Sequence, residues 1–192
     1  KGAVVEGEVS ELLQQNLKKL SYKYGVSLHM IFLSVLMIFL GKYSKQNDIV
    51  IGIPVNGRKN SELENMIGMF ANTLPILSQP KSDKVFSDYL GEIKEILLKS
   101  YENQDCSFEE IVDYLEIKRE MNRNPLFDVM LSVEESTNVQ KTFEGTTIKN
   151  GGTVTLTSKF DLMITVLNED DKIMLGMEYS TDLWKEETVK RM

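Results

Sequence analysis

Side chains able to do acid–base or nucleophilic chemistry are few in this sequence, which has one histidine and one cysteine among 192 residues. His29 stands between Leu28 and Met30 in a long apolar stretch, so we interpret it as a core or rim histidine rather than a general base. Cys106 has no histidine near it in the sequence, and we interpret it as an ordinary thiol rather than a nucleophile. These two residues give no catalytic centre by themselves.

The motifs that usually mark phosphate, nucleophile or metal sites are also missing. Neither G-x-G-x-x-G, nor G-x-x-x-x-G-K-[ST], nor a G-x-S-x-G elbow occurs. The acidic runs at 134–135 and 169–171 are more typical of solvated loops than of metal ligands. We therefore expect no catalytic residue, no metal ligand and no directly bound cofactor in this chain.

Charge and hydropathy exclude several classes of partner. The net charge is −7 and the pI about 4.9, which disfavours binding to nucleic acid or to anionic lipid. The longest apolar stretch, residues 28–40, is shorter than the ~20 residues of a membrane-spanning helix. A single cysteine cannot form an internal disulfide, which favours a reducing, cytoplasmic compartment. We expect a cytoplasmic protein with neither a nucleic-acid nor a membrane partner.

Apolar residues recur with helical spacing over residues 9–24, 28–44 and 84–102. Gly25 should end the first of these helices and Ser27 should cap the second, which is apolar nearly all round and is therefore predicted to be deeply buried. Ser107 and Glu110 form a capping-box pattern for a further helix that ends near residue 115. Shorter helices are predicted at 63–67 and after residues 181–182.

Runs rich in β-branched residues predict strands at 49–55, 70–77, 126–133, 153–156, 159–167 and 172–179. Pro75 should place its strand at a sheet edge or a bulge, and residues 168–171 should turn the last pair into a hairpin. Residues 134–152 are polar and aperiodic, and we expect a long loop there. The pattern indicates an α/β fold, an α+β two-layer sandwich whose sheet packs against helices.

Four stretches carry a family resemblance: DIVIGIPVNGR at 48–58, MIGMFANTLP at 66–75, NQDCSFE at 103–109 and REMNRNPLFDV at 119–129. In this order and at these spacings they resemble the C-terminal lobe of condensation domains of nonribosomal peptide synthetases. The resemblance runs from about residue 9 to the end of the chain. It implies that residues 1–192 are the C-terminal subdomain, or half, of such a domain.

The resemblance also implies a fold and a reaction. The family has a chloramphenicol acetyltransferase-like fold, in which two lobes with mixed sheets form a V around a tunnel. Its catalytic motif, H-H-x-x-x-D-G, belongs to the N-terminal lobe and is absent here. The whole domain joins aminoacyl and peptidyl thioesters held on the phosphopantetheine arms of carrier proteins. The implied partners are the N-terminal lobe, peptidyl or acyl carrier proteins and an adenylation domain, and the chain alone is expected to be inactive.

Five residues are candidates for roles near the tunnel. Arg58, behind Gly57 at a strand end, is expected to pair with Asp161, which lies in a segment similar to the family's K-[FY]-D-L strand. That pair is either a structural ion pair or a direct substrate contact. Asn72 and Thr73 either satisfy local backbone groups or line the tunnel where a pantetheine amide binds, and Ser158 is a further tunnel candidate.

Two other functions stay open. The chain could be a binding or scaffold module that never had a catalytic half, or one lobe of a stand-alone acyltransferase of the same superfamily. If the chain is half of a condensation domain, we expect an exposed lobe interface through which the chain can self-associate. We do not expect such an interface on a scaffold module. The sequence does not separate condensation from epimerisation or cyclisation variants, nor does it identify the amino acids joined.

Overall fold

The computed structural model describes residues 1–58, 61–118, 120, 123–136, 142–143, 146–147, 157–169 and 172–192. The chain divides into two compact units. The first unit comprises Lys1–Gln15 and Ser132–Met192, and the second unit comprises Asn16–Leu131. The helices are α1 (Glu11–Tyr24), α2 (Leu28–Ser44), α3 (Ser61–Glu64), α4 (Phe86–Glu102), α5 (Phe108–Tyr114) and α6 (Glu186–Val189). The strands are β1 (Gly2–Glu8), β2 (Ile49–Val55), β3 (Asn72–Ser78), β4 (Val129–Ser136), β5 (Thr142–Phe143), β6 (Thr146–Thr147), β7 (Leu162–Glu169) and β8 (Lys172–Ser180).

The predicted helix ends are confirmed because they depend on local chemistry. Gly25 has φ +58°, and the amide of Val26 donates to the carbonyl of Ser21 at 3.1 Å, which closes α1. The hydroxyl of Ser27 accepts from the amide of Met30 at 3.2 Å and caps α2. The sequence therefore predicted the boundary between the two helices from two residues, Gly25 and Ser27.

The second unit is a mixed sheet covered by helices. Its strand order is β4-β2-β3, with β2 antiparallel to β3 and parallel to β4. Pro75 lies on β3, at the edge of this group of strands, which confirms its predicted edge position. Helices α2 and α4 pack on each other, on β2 and on β3, which confirms the two-layer arrangement. The fully buried side chains of this core include Leu33, Met37, Ile51, Ile53, Leu90, Ile93 and Leu97.

The buried Tyr89 of the second unit has a hydrogen-bond partner for its hydroxyl group. The hydroxyl of Tyr89 lies 3.0 Å from that of Ser78 and 3.6 Å from the sulfur of Met37. Burial raises the pKa of Tyr89, since the phenolate is disfavoured away from water. The hydrogen bond satisfies the phenol and fixes α4 against β3.

Helix α2 departs from the prediction that it is deeply buried all round. Met30, Ile31 and Leu33 are buried, but Val35 and Tyr43 are about half exposed. The apolar circumference indicated full burial, but the described residues of the chain leave part of this helix exposed. No single helix in the described part of the chain has both the length and the hydropathy to span a bilayer. Helices α1 and α2 pass that test only as a pair, bent by 103°.

The first unit has the strand order β1-β8-β7-β4. Strands β7 and β8 form the predicted hairpin, with Leu162 opposite Tyr179. Strand β1 pairs antiparallel with β8 and was not predicted. The amide of Val9 continues this pairing by donating to the carbonyl of Ile173 at 2.9 Å, so Val9 precedes α1 rather than beginning it. The closing helix likewise begins later than predicted, after Lys185, because residues 181–183 form a turn.

Two predictions concern segments that the structure describes in part or not at all. The predicted strand at 153–156 lies outside the described residues. Of the predicted loop at 134–152, residues 134–136 belong to β4, and β5 pairs antiparallel with β6. The loop prediction is therefore wrong at these positions, where the backbone is extended and paired.

Candidate functional site

Asn72, at the start of β3, makes four hydrogen bonds with backbone groups of the second unit. Its amide nitrogen donates to the carbonyl of Gln104 at 2.9 Å and to that of Cys106 at 2.8 Å. Its amide oxygen accepts from the backbone N–H of Thr73 at 2.8 Å and of Phe108 at 3.2 Å. We call this arrangement the Asn72 clamp, since it ties the loop between α4 and α5 to the first residue of β3.

The clamped loop, residues 103–107, is also held at both of its ends. Asn103 closes α4 by donating from its side chain to the carbonyl of Lys99 at 2.8 Å. Ser107 opens α5 with the predicted capping box, in which its hydroxyl accepts from the Glu110 amide and the Glu110 carboxylate accepts from the Ser107 amide at 2.8 Å. The backbone and hydroxyl donors of Ser107 lower the pKa of Glu110. The loop therefore has a fixed backbone path.

The strand end of the first motif is shaped by a glycine and an arginine. Gly57 has φ +64°, and a Cβ at this position would overlap the carbonyl of Phe70. The guanidinium of Arg58 stacks over the Phe70 ring at 4.3 Å from its centroid and donates to the carbonyl of Leu63. Arg58 thus fixes the start of the segment between β2 and β3. This structural role depends on contacts with residues of the second unit, to which Arg58 itself belongs.

Phe127 joins the fourth motif to the first and the third. A Cβ at Gly52, in the middle of β2, would overlap the Phe127 ring, so the glycine makes room for it. The same ring meets Phe108 edge-on, with centroids 5.8 Å apart. The side chain of Asn124 holds the turn before Phe127 by accepting from two backbone amides. Because these amides serve the turn, β4 begins at Val129 and not at residue 126 as predicted.

The four motifs therefore meet in one cluster of the second unit, through Gly52, Asn72, Phe108 and Phe127. Sequence reasoning singled out Asn72 but did not identify Phe127 as a contact residue. Gly52 carried the available signal, because a glycine inside an otherwise β-branched strand often marks the close approach of another group.

Two of the predicted site residues lie in the first unit. Ser158 is half-buried, and its hydroxyl donates to the carbonyl of Phe160 at 2.6 Å. Asp161 immediately precedes β7, and its carbonyl accepts from the amide of Ser180 at 3.2 Å. Arg58 belongs to the second unit, so its ion pair with Asp161 stays a prediction, as do the tunnel roles of Ser158, Asn72 and Thr73.

The histidine is hydrogen-bonded to a tyrosine, and the cysteine is exposed. His29 Nδ1 lies 3.1 Å from the hydroxyl of Tyr101, and burial lowers the pKa of the imidazole. Burial also raises the pKa of Tyr101. Cys106 is exposed, while its carbonyl is held by the Asn72 clamp.

Comparison with known proteins identifies the family. The family model for the condensation domain matches residues 3–192. The chain belongs to the condensation-domain family. It is 41% identical over 191 residues to bacitracin synthase 3 of Bacillus licheniformis, covering 100% of this chain and 3% of that protein. It is 40% identical over 180 residues to gramicidin S synthase 2 of Brevibacillus brevis, covering 94% of this chain and 4% of that protein.

Solved structures of low identity show the same fold. A four-domain nonribosomal peptide synthetase, holo-AB3403, superposes with a TM-score of 0.89 at 23% identity, over 99% of this chain and 16% of that one. The X-domain from teicoplanin biosynthesis gives a TM-score of 0.84 at 21% identity, over 98% of this chain and 44% of that one. The predicted fold class, a chloramphenicol acetyltransferase-like α/β lobe, is confirmed. The chain spans 3 to 4% of the length of the two synthases.

Proposed function

We propose that this chain is the C-terminal lobe of a condensation domain that joins carrier-bound aminoacyl and peptidyl thioesters in nonribosomal peptide synthesis. The observation that carries the proposal is the match of the condensation-domain model over residues 3–192. Two relatives with 40% or more identity are named bacitracin synthase 3 and gramicidin S synthase 2, which supports a synthase reaction here. The working compartment would be the cytoplasm, where carriers are loaded.

In the proposed reaction the amine of the acceptor attacks the carbonyl carbon of the donor thioester. The C–N bond forms, the C–S bond breaks, the donor arm leaves as a thiol, and the nitrogen loses a proton. The histidine that assists this proton transfer would come from the N-terminal lobe, since the one histidine of this chain is packed against Tyr101. The role left to the chain is to help hold both thioesters in attack geometry.

The segment between α3 and β3 has an exposed apolar surface, which we propose contacts residues outside this chain. Met66, Ile67 and Met69 are 52, 104 and 91% exposed, although all three are apolar. A run of exposed apolar side chains of this kind usually marks a surface that another protein part covers. We assign that part to the N-terminal lobe, and self-association through the same surface is the competing outcome.

The proposal is tested with the full-length protein, whose carriers are loaded with a donor and an acceptor thioester. Mass spectrometry of the acceptor carrier should detect the amide-linked product. Thr73→Val, which keeps the shape of the side chain and removes its hydroxyl, should raise the KM for the acceptor carrier if Thr73 lines the tunnel. Glu95→Gln, an exposed change on α4, is the matched control and should leave the KM unchanged.

Three results would contradict parts of the proposal. Absence of amide product with every loaded pair would leave the chain as a scaffold module. Racemised donor in place of an amide product would assign the epimerisation variant. An unchanged KM in Thr73→Val would remove Thr73 from the tunnel while the condensation function stood.

A further inference from the structure

The register of the first unit places a glycine at the centre of an open sheet face. Gly176 on β8 lies opposite Glu6 on β1 and opposite Thr165 on β7. Residues that are cross-strand neighbours share a face, and so do residues two apart on one strand. The side chains around Gly176 therefore enclose a concavity of about 440 Å³. We call it the Gly176 cup, and its walls are Val4, Glu6, Thr165, Leu167, Met174 and Glu178.

The packing of the residues that the structure describes does not require glycine at this position. Among the described residues, a Cβ on Gly176 would meet only the Cβ of Thr165, at an ordinary distance of 3.9 Å. Gly176 is also not among the residues with positive φ. Glycine weakens a strand interior, so its presence where a larger residue fits is typical of a place that another group approaches closely.

The walls combine apolar side chains with two carboxylates. Leu167 and Met174 are half-buried, and Val4 is 39% exposed. Glu178 lies opposite Val4, whereas Glu6 lies opposite Gly176, so the two glutamates are diagonal neighbours across β1 and β8. Such neighbours are about 7–8 Å apart.

These two carboxylates have no cation beside them within the part of the chain that the structure describes. Among those residues, neither the Glu6 nor the Glu178 carboxylate forms an ion pair or a hydrogen bond. Two like charges on one concavity repel each other, and a cation seated between the two carboxylates would attract both. Charge complementarity therefore specifies a positively charged occupant.

We propose that the Gly176 cup binds the side chain of a lysine residue in an extended polypeptide segment. The aliphatic stem of lysine suits the apolar walls, while its ammonium group suits the paired carboxylates. A polypeptide is favoured as the source because the cup opens on an exposed face beside the edge strand β1.

The test is saturation-transfer difference NMR on the full-length protein with two peptides. One is Ac-Ala-Ala-Lys-Ala-Ala-NH2, and the other has norleucine in place of lysine, which keeps the stem and removes the charge. The lysine peptide should bind at least tenfold more tightly, and its binding should weaken as salt is added. Gly176→Val should abolish binding by filling the cup, and Glu178→Gln should weaken it at least fivefold.

Controls keep the result decisive. Glu95→Gln removes an exposed carboxylate from α4 and should leave binding unchanged. If Gly176→Val fails to fold, the isosteric double variant Glu6→Gln/Glu178→Gln takes its place. Equal binding of the two peptides, or unchanged binding in the cup variants, would overturn the proposal. Equally tight binding of n-butylammonium would overturn the polypeptide source and leave a site for a free amine. None of these results depends on whether the protein forms amide bonds.

Discussion

Replacing Asn72 by alanine removes all four hydrogen bonds of the Asn72 clamp in one step. The carbonyls of Gln104 and Cys106 lose a donor, and the amides of Thr73 and Phe108 lose an acceptor. A typical hydrogen bond contributes about 0.5–1.5 kcal/mol net, because water competes for both partners. Water can reach some of these groups, so the sum is about 2–4 kcal/mol of local stability.

Hydrogen–deuterium exchange read by mass spectrometry measures this local stability in the full-length protein. Opening free energies fall by the same amount as the clamp contributes, and 1.4 kcal/mol corresponds to about a tenfold change in rate. Peptides that cover residues 103–110 should therefore exchange about 30-fold faster or more in Asn72→Ala. Peptides from α2 should keep their exchange rates, because that helix has no bond to the clamp.

Asn103→Ala is the matched control for this experiment. Asn103 is the same residue type in the same loop, but its side chain makes one hydrogen bond within its own helix end. Its replacement should change exchange less than about threefold, as expected for a partly exposed helix-end bond. Equal acceleration by the two variants, or no acceleration by Asn72→Ala, would refute the idea that the clamp fixes the loop.

Three further predictions follow from single sites. Because burial lowers the pKa of His29, the folded state binds protons less readily than the unfolded state; stability should decline as pH falls below about 6.5, and His29→Gln should flatten this decline in melts at pH 5 to 7. Gly57→Ala should lower the free energy of unfolding by about 2 kcal/mol or more, because the new Cβ is strained at positive φ and overlaps a carbonyl. Gly7→Ala is the control, because a Cβ there has open space around it, and it should shift the melting temperature little. If Arg58 and Asp161 form an ion pair, a double-mutant cycle with alanine should give a coupling of about 1 kcal/mol or more, and strictly additive losses in melting experiments would exclude the pair.

The sequence predicted those features of the fold that depend on neighbouring residues. The Gly25 helix end, the Ser27 cap and the Ser107 capping box each need only four to six consecutive residues, and all three are present. Strand β1 escaped prediction because its apolar residues alternate weakly and its side chains are mostly exposed. As an edge strand it is paired on one side by β8, and this long-range pairing leaves little trace in local composition.

The candidate site was predictable only as a set of motifs. Three of the four partners of Asn72 lie 32 to 36 residues away, and no periodicity in the sequence reports a bond over that distance. Family resemblance placed the motifs in order, but the contacts among them depend on how β2, β3 and the α4–α5 loop pack. The same limit applies to the stacking of Arg58 on Phe70, which no local pattern in the sequence indicated. The ion pair of Arg58 with Asp161 stays a prediction.

The sequence pattern alone does not distinguish the structural reasons for three glycines. Each of them, Gly52, Gly57 and Gly176, interrupts or ends a strand pattern in the sequence, so all three look alike there. In the structure Gly52 makes room for the Phe127 ring, and Gly57 supplies a left-handed turn against the carbonyl of Phe70. Among the described residues Gly176 has neither reason, since a Cβ there would meet only Thr165, at an ordinary van der Waals distance. The first two glycines are explained by contacts within the chain. No such contact accounts for Gly176 in the described part of the chain, which is why the open face around it is the place to look for an occupant.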